Sequence, residues 1–242
     1  MVEMSALLEW YRRERRAKVS EGEAIELYFT NHPRTSFLKM LPADASVCDI
    51  GAGDGSLSIF RKWLRPVRAD LKMYAYSIEK GARFDEFDGY AISDWNVAPP
   101  SFGDVRFDGV ICAHFIEHIQ TPDSLVAWLS ANLLPGGRAY IEWPSPNALH
   151  LPPVKALKAE GVDIMISRYD DDDTHQGEIP DREALCRAFA SSGFAIEAQG
   201  IVRLPWIENE LMATSRDAVD PFPRQAAFWL KTGWSQYVIV QK

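Results

Sequence analysis

Val47-Cys48-Asp49-Ile50-Gly51-Ala52-Gly53-Asp54-Gly55-Ser56 is the stretch on which the reading turns. A short apolar strand runs into three glycines at alternate positions, directly before a segment with helical character. Glycine lets a backbone turn sharply and approach a ligand closely, and in parallel sheets such loops lie at the carboxyl edge, where ligands bind. The dinucleotide fingerprint GxGxxG/A needs glycine or alanine where Ser56 stands, so a pyrophosphate loop fits poorly.

Outward from this loop, strands and helices alternate. A strand at Ser46 to Ile50 is followed by a helix at about Ser56 to Leu64, a strand at Lys72 to Ile78 and a short strand at Gly89 to Ser93. Phe107 to Cys112 reads as a strand, Asp123 to Leu134 as a helix and Arg138 to Trp143 as a strand. Continuous apolar strands separated by helices indicate a parallel sheet covered on both faces. Upstream, Met4, Leu7, Leu8 and Tyr11 form one helical stripe, and Ser20 with Glu23 has the form of a capping box opening a second helix. Pro42 closes this part. Downstream, the stretch from Pro144 to Pro180 is too long for an ordinary connection and reads as a lid or substrate loop. Asp181 caps a helix that stops at Gly193, and strands follow around Phe194 to Arg203 and Ser235 to Val240. The expected division is a helical cover over 1–42 and a main domain over 43–242, with a lid at about 144–180.

Two further blocks share the order and spacing of the glycine loop: Arg106-Phe107-Asp108-Gly109-Val110-Ile111-Cys112-Ala113-His114-Phe115-Ile116-Glu117-His118, and Leu133-Leu134-Pro135-Gly136-Gly137-Arg138. With Asp49-x-Gly51-x-Gly53-x-Gly55, they resemble the first motif, the fourth strand and the turn before strand five of class I S-adenosylmethionine-dependent methyltransferases. The resemblance is close over residues 46 to 145. It implies an α/β fold, a doubly wound Rossmann-like seven-stranded sheet with its last strand antiparallel. It also implies that Gly51, Gly53 and Gly55 line the methionine and ribose part of S-adenosylmethionine while Asp49 orders the loop. The acid that usually holds the ribose falls at Ser77, so either Glu79 substitutes or the ribose is held more weakly. Asp94 matches the acid that contacts the adenine amino group, Trp95 stands beside it as a stacking wall, and His114 follows strand four at the cofactor cleft.

Methyl transfer from a sulfonium is an in-line attack, so the protein positions the nucleophile, excludes water and supplies a base for a hydroxyl. His118, His175 and Glu142 are the candidates for that chemistry. His114-Phe115-Ile116-Glu117-His118 also spells HxxEH, the inverted zinc-protease motif, but it follows a buried strand and not a long helix. In some ubiquinone-type and small-RNA methyltransferases, a Glu-x-x-Glu-His segment binds a divalent ion. Here His114 replaces the first Glu, leaving His114, Glu117 and His118 as metal candidates with His175 as a fourth, while packing behind the cleft is the competing role. Asp170 to Asp173 reads as a solvated loop or a gate, and Arg12, Arg13, Arg15 and Arg16 as a solvated face or a phosphate-capturing one.

Composition sets the outer bounds. With 47% apolar and 12% aromatic residues, the chain is no disordered segment. Its 26 Lys and Arg against 34 Asp and Glu give a net charge of −8, which argues against a general nucleic-acid binder. No run approaches the roughly 20 apolar residues that cross a bilayer, and Met1 to Ser20 carries charges where a signal peptide is apolar, so the reading is soluble and cytoplasmic. Cys48, Cys112 and Cys186 lie apart without CxxC spacing and read as small core residues. The expectation is a methyltransferase acting on an oxygen or nitrogen of a small-molecule metabolite, with no membrane partner and a homodimer left open. Two alternatives stand beside it: a non-catalytic scaffold or partner subunit of the same fold, and a metal-dependent RNA methyltransferase.

Overall fold

The computed structural model describes residues 3–216 and 218–242. Residues 1, 2 and 217 lie outside the described residues, including the first two positions of the cover expected over 1–42. The chain begins with three helices, α1 (Met4–Arg12), α2 (Glu21–Asn31) and α3 (Pro33–Lys39). Four strands follow, β1 (Ser46–Ile50), β2 (Lys72–Ser77), β3 (Gly89–Ile92) and β4 (Phe107–Ala113). Next come α4 (Pro122–Asn132), β5 (Leu133–Pro144), α5 (Val154–Ala159), α6 (Arg182–Ser191) and β6 (Ala195–Ile201). α7 (Ile207–Thr214), α8 (Phe222–Thr232) and β7 (Ser235–Gln241) complete the chain. No helix among the described residues is long and apolar enough to cross a membrane.

The chain forms two compact units. The first comprises Arg34–Trp143, Gln176–Gly200 and Tyr237–Lys242. It is built on a seven-stranded sheet of order β3-β2-β1-β4-β5-β7-β6, as the motif order implied. β1 pairs in parallel with β2 and β4, setting Ile50 beside both Tyr76 and Cys112. β7 runs antiparallel: Gly136 N–H donates to the Lys242 carbonyl and Lys242 N–H to the Gly137 carbonyl, both at 2.9 Å. Val47, Cys48, Ile50, Val110, Ile111 and Cys112 are all fully buried, which is why these strands read as unbroken apolar runs. Because β1 has β2 on one side and β4 on the other, the strand order reverses there. A crevice at the carboxyl ends of β1 and β4 is the site such a sheet prescribes.

Two expectations need correction. The helix expected at Ser56 to Leu64 is a 3₁₀ turn over Ser56–Arg61. The Lys39 ammonium donates to the carbonyls of Phe60, Trp63, Leu64 and Pro66, satisfying terminal oxygens that a longer helix would have used. Ser58 Oγ donates to Glu86 at 2.7 Å, and Leu64 is left-handed at φ 64°. The second is β5, which begins at Leu133 instead of Arg138. Phe107 pairs with Leu133 and Gly109 with Arg138, so the Pro135-Gly136-Gly137 turn survives as a bulge within the strand.

The second unit holds residues up to Pro33, Pro144–His175 and Ile201–Gln236. Ser20 and Glu23 form the expected capping box at the start of α2. The 144–175 stretch is tied down internally: Asp171 accepts from the backbone of Val154, Ser167 and Arg168, and Gln225 accepts from Met165 and Ile166. Part of the acidic run is thus a backbone staple. Between Arg203 and Ser235 the sequence showed no clear element, yet α7 and α8 are there. α8 buries Arg224 and Gln225 among its apolar residues, which blurs its stripe; Arg224 donates to the Ser215 and Ala218 carbonyls and pairs with Asp163.

Candidate active site at the switch point of the sheet

The three loop glycines all take left-handed conformations, with φ of 77° at Gly51, 54° at Gly53 and 85° at Gly55. Backbone N–H groups of Gly51 and Ala52 both donate to the Tyr76 carbonyl, folding the loop back over β2. A Cβ at Gly51 would stand 2.8 Å from Cβ of Phe115, so the loop and the end of β4 are packed without room for a side chain. At Gly53 a Cβ would meet nothing within 4 Å, leaving the backbone open to an incoming group. Gly81 supports the loop from below: a Cβ there would come within 2.3 Å of the Gly53 carbonyl oxygen. No periodicity or motif marks Gly81 along the chain, since the requirement comes from a contact almost thirty residues away.

Asp49, the penultimate residue of β1, is buried at 6% exposure. Burial pushes its carboxyl up to about 7, helped by Asp54 and opposed by Arg34. Ser77 closes β2 and is buried, whereas Glu79 is exposed two residues on. Ile78, between them, presents an exposed apolar side chain at the same sheet edge. Asp94 is exposed and its Oδ1 accepts from Asn96 N–H at 2.9 Å. Trp95 differs from the wall expected of it. It sits in the core at 5% exposure, edge-on to Phe115 and Tyr76, and its Nε1 donates to Ser124 Oγ.

The end of β4 carries a charged cluster. His114 adopts φ 52°, rare for a residue with a side chain, and its N–H donates to the Glu142 carbonyl at 2.8 Å. Its Nδ1 lies 3.3 Å from Oε1 of Glu117 and its Nε2 3.3 Å from Oε1 of Glu142. Both carboxylates are buried, and Tyr140 donates its hydroxyl to Oε2 of Glu142 at 2.7 Å. Burial alone would lower the imidazole pKa, but hydrogen bonds to Glu117 and Glu142 and their charges outweigh it and raise it to about 9. Glu142, expected as a catalytic group, has both oxygens engaged, Oε1 facing His114 and Oε2 accepting from Tyr140. Tyr140 was missed because a continuously buried strand reads as core, with nothing to show that its hydroxyl reaches the residue two places on.

His118 ends the 3₁₀ turn Ile116–His118 and is partly exposed. Glu117 and His118 offer ligand-type atoms within 4.8 Å of each other. Oε2 of Glu117 is buried without a hydrogen-bond partner, a donor set that suits a small cation. His114 enters no such grouping among the described residues, its two nitrogens facing carboxylates. His175 belongs to the second unit, where its ring stacks on Tyr169 at 4.2 Å and its Nδ1 lies 2.7 Å from the Tyr169 carbonyl.

Comparison with known proteins agrees with this geometry. A family model described as a methyltransferase domain matches residues 11–199. The ubiquinone biosynthesis O-methyltransferase of Xanthomonas axonopodis pv. citri is 24% identical over 212 residues, covering 83% of this chain and 84% of that protein. Among solved structures, an S-adenosylmethionine-dependent methyltransferase from Mesorhizobium loti superposes with a TM-score of 0.56 at 16% identity, covering 86% of this chain and 96% of the other. One from Archaeoglobus fulgidus gives 0.51 at 18% identity, covering 99% and 100%. With the family model matching residues 11–199 and the glycine loop and sheet order in place, the chain belongs to the methyltransferase-domain family and is a class I S-adenosylmethionine-dependent methyltransferase.

Proposed function

We propose that this enzyme transfers the methyl group to an oxygen or nitrogen of a small-molecule metabolite, with the cofactor held by the glycine loop. The observation that carries the reading is the open backbone at Gly53, set at φ 54° at the sheet's switch point. The residues present fit a cationic, sugar-bearing cofactor: Asp49 is a buried carboxyl that a nearby positive charge would ionise. Ser77 and Glu79 hold the ribose in this reading, Asp94 the adenine amino group, and Ile78 offers a face to the ring. When bound, the cofactor supplies an electrophilic methyl carbon. The chain's own residues do the rest by placement. His114, clamped between Glu117 and Glu142, holds a fixed positive charge at the end of β4. Such a charge favours the ionised form of an acidic hydroxyl over a protonated amine, and so favours oxygen as the acceptor atom. Glu142 and Tyr140 are positioning residues for that imidazole, and His118 is the partly exposed base in reach of the same turn.

A metal-assisted variant has one observation in its favour, the unpartnered Oε2 of Glu117 beside His118. Those two residues would hold the ion, which would polarise an acceptor hydroxyl. The test is turnover of S-adenosylmethionine to S-adenosylhomocysteine against panels of phenols, carboxylic acids and amines and against RNA, with and without EDTA. Turnover on phenols or acids that survives EDTA supports the reading; turnover confined to RNA, or none on any panel despite cofactor binding, overturns it.

A further inference from the structure

The second unit carries a concentration of positive charge that the methyl-transfer reading leaves without a task. The connection after α1 and the end of α7 enclose an open cavity of about 520 Å³, lined by Glu14, Arg15, Arg16, Ala213 and Arg216. A concavity of this size admits a small ligand. In a chain of net charge −8, three guanidinium groups around one cavity are not background.

Two of the three are pre-set. Arg15 lies over the Trp10 ring at 5.2 Å, donates from Nε to Oδ1 of Asn209 at 3.2 Å and from Nη1 to the Arg13 carbonyl at 2.9 Å. Arg216 uses Nη2 alone to reach the carbonyls of Tyr11, Arg12 and Arg13. These contacts are to carbonyls, an amide and a ring. Among the described residues no carboxylate forms an ion pair with Arg15, Arg16 or Arg216, whereas the neighbouring Arg12 is neutralised by Glu160 at 2.9 Å. Crowding shows in Arg15, whose pKa is lowered by burial and then by the charges of Arg13 and Arg216, with Glu208 opposing. Among the described lining residues, only Glu14 carries negative charge.

Guanidinium groups that are fixed, mutually repelling and unpaired gain most from an anion that accepts several N–H donors at once, and phosphoryl oxygens match that fork geometry. We infer that this cavity is a binding site for a phosphate-bearing anion, of the size of a diphosphate, recognised by Arg15, Arg16 and Arg216. The same phosphoryl chemistry is found on a free diphosphate and on a lipid headgroup.

The experiment is calorimetric titration of the full chain with sodium pyrophosphate, set against sodium chloride of equal ionic strength, alongside flotation with phosphatidylcholine vesicles containing phosphatidic acid. Arg16→Gln removes an exposed side chain that makes no hydrogen bond or ion pair among the described residues, and weakens the anion about tenfold. Glu14→Gln removes the repelling carboxylate among the described lining residues and tightens it about threefold, a gain that misfolding cannot imitate. One-site binding of pyrophosphate that follows both variants assigns a free diphosphate. Binding to phosphatidic acid vesicles alone, with the same response to the variants, assigns a headgroup. Binding of neither probe, or binding that ignores both Arg16→Gln and Glu14→Gln, overturns the proposal.

Discussion

Replacing His114 by Asn tests whether the cluster at the end of β4 is held by charge. Asparagine tolerates a left-handed backbone, so the φ of 52° survives and the substitution chiefly removes the imidazolium from between Glu117 and Glu142. The wild-type imidazole is raised from 6.5 to about 9, and at about 1.36 kcal/mol per pH unit this corresponds to roughly 3 kcal/mol of stability. The sign follows from linkage: a folded-state pKa above the unfolded one gives stability that is fully present below pH 6.5 and lost as the pH rises through 9. Urea unfolding of both proteins at pH 6, 8 and 10 reads it. The gap between them falls from roughly 3 kcal/mol at pH 6 to roughly half that at pH 8, and closes near pH 10. A gap that is the same at all three values, or that widens with pH, would refute the charged-clamp account.

Further substitutions separate cofactor binding from folding. Asp49→Asn removes a buried carboxyl that titrates at about 7, so it raises Tm at pH 8 while weakening S-adenosylhomocysteine, and in the wild type affinity falls as pH drops below 7; calorimetry at pH 6 and 8 checks both. Gly53→Ala places a methyl in the open loop at φ 54°, costing about 1 kcal/mol of stability but most of the cofactor affinity, measured by thermal unfolding with and without ligand. Gly81→Ala drives a methyl into the Gly53 carbonyl and lowers both stability and affinity together, which a side-by-side titration with Gly53→Ala distinguishes. Lys39→Met strips the donor from four carbonyls and costs roughly 2 to 3 kcal/mol in denaturant unfolding, without altering the affinity of the loop for the cofactor.

What the sequence made legible was what repeats along it. β1 was read to the residue because Val47, Cys48 and Ile50 are fully buried and the one charged residue among them, Asp49, stands directly before the glycine loop. The glycine loop stood out because three left-handed positions in five residues demand three glycines. What stayed hidden depends on contacts between distant segments. The Ser56 helix shrank to a 3₁₀ turn because Lys39, from α3, caps its carbonyls. α8 was overlooked because Arg224 and Gln225 are buried polar residues that serve the 163–166 backbone and the Ser215 turn. In the site, Glu142 drew notice as an acid on a strand, but only its position beside His114 shows that it orients an imidazole. Trp95 stands next to Asp94 in sequence and yet turns into the core.

The central claim is that the glycine loop and its surroundings form a cofactor site, and titration of the metal-stripped protein with S-adenosylhomocysteine tests it most directly. The account predicts one-site binding in the micromolar range without metal, weakened in Gly53→Ala and in Asp49→Asn while both remain folded. No heat and no thermal stabilisation at millimolar ligand, with or without magnesium or zinc, would contradict it.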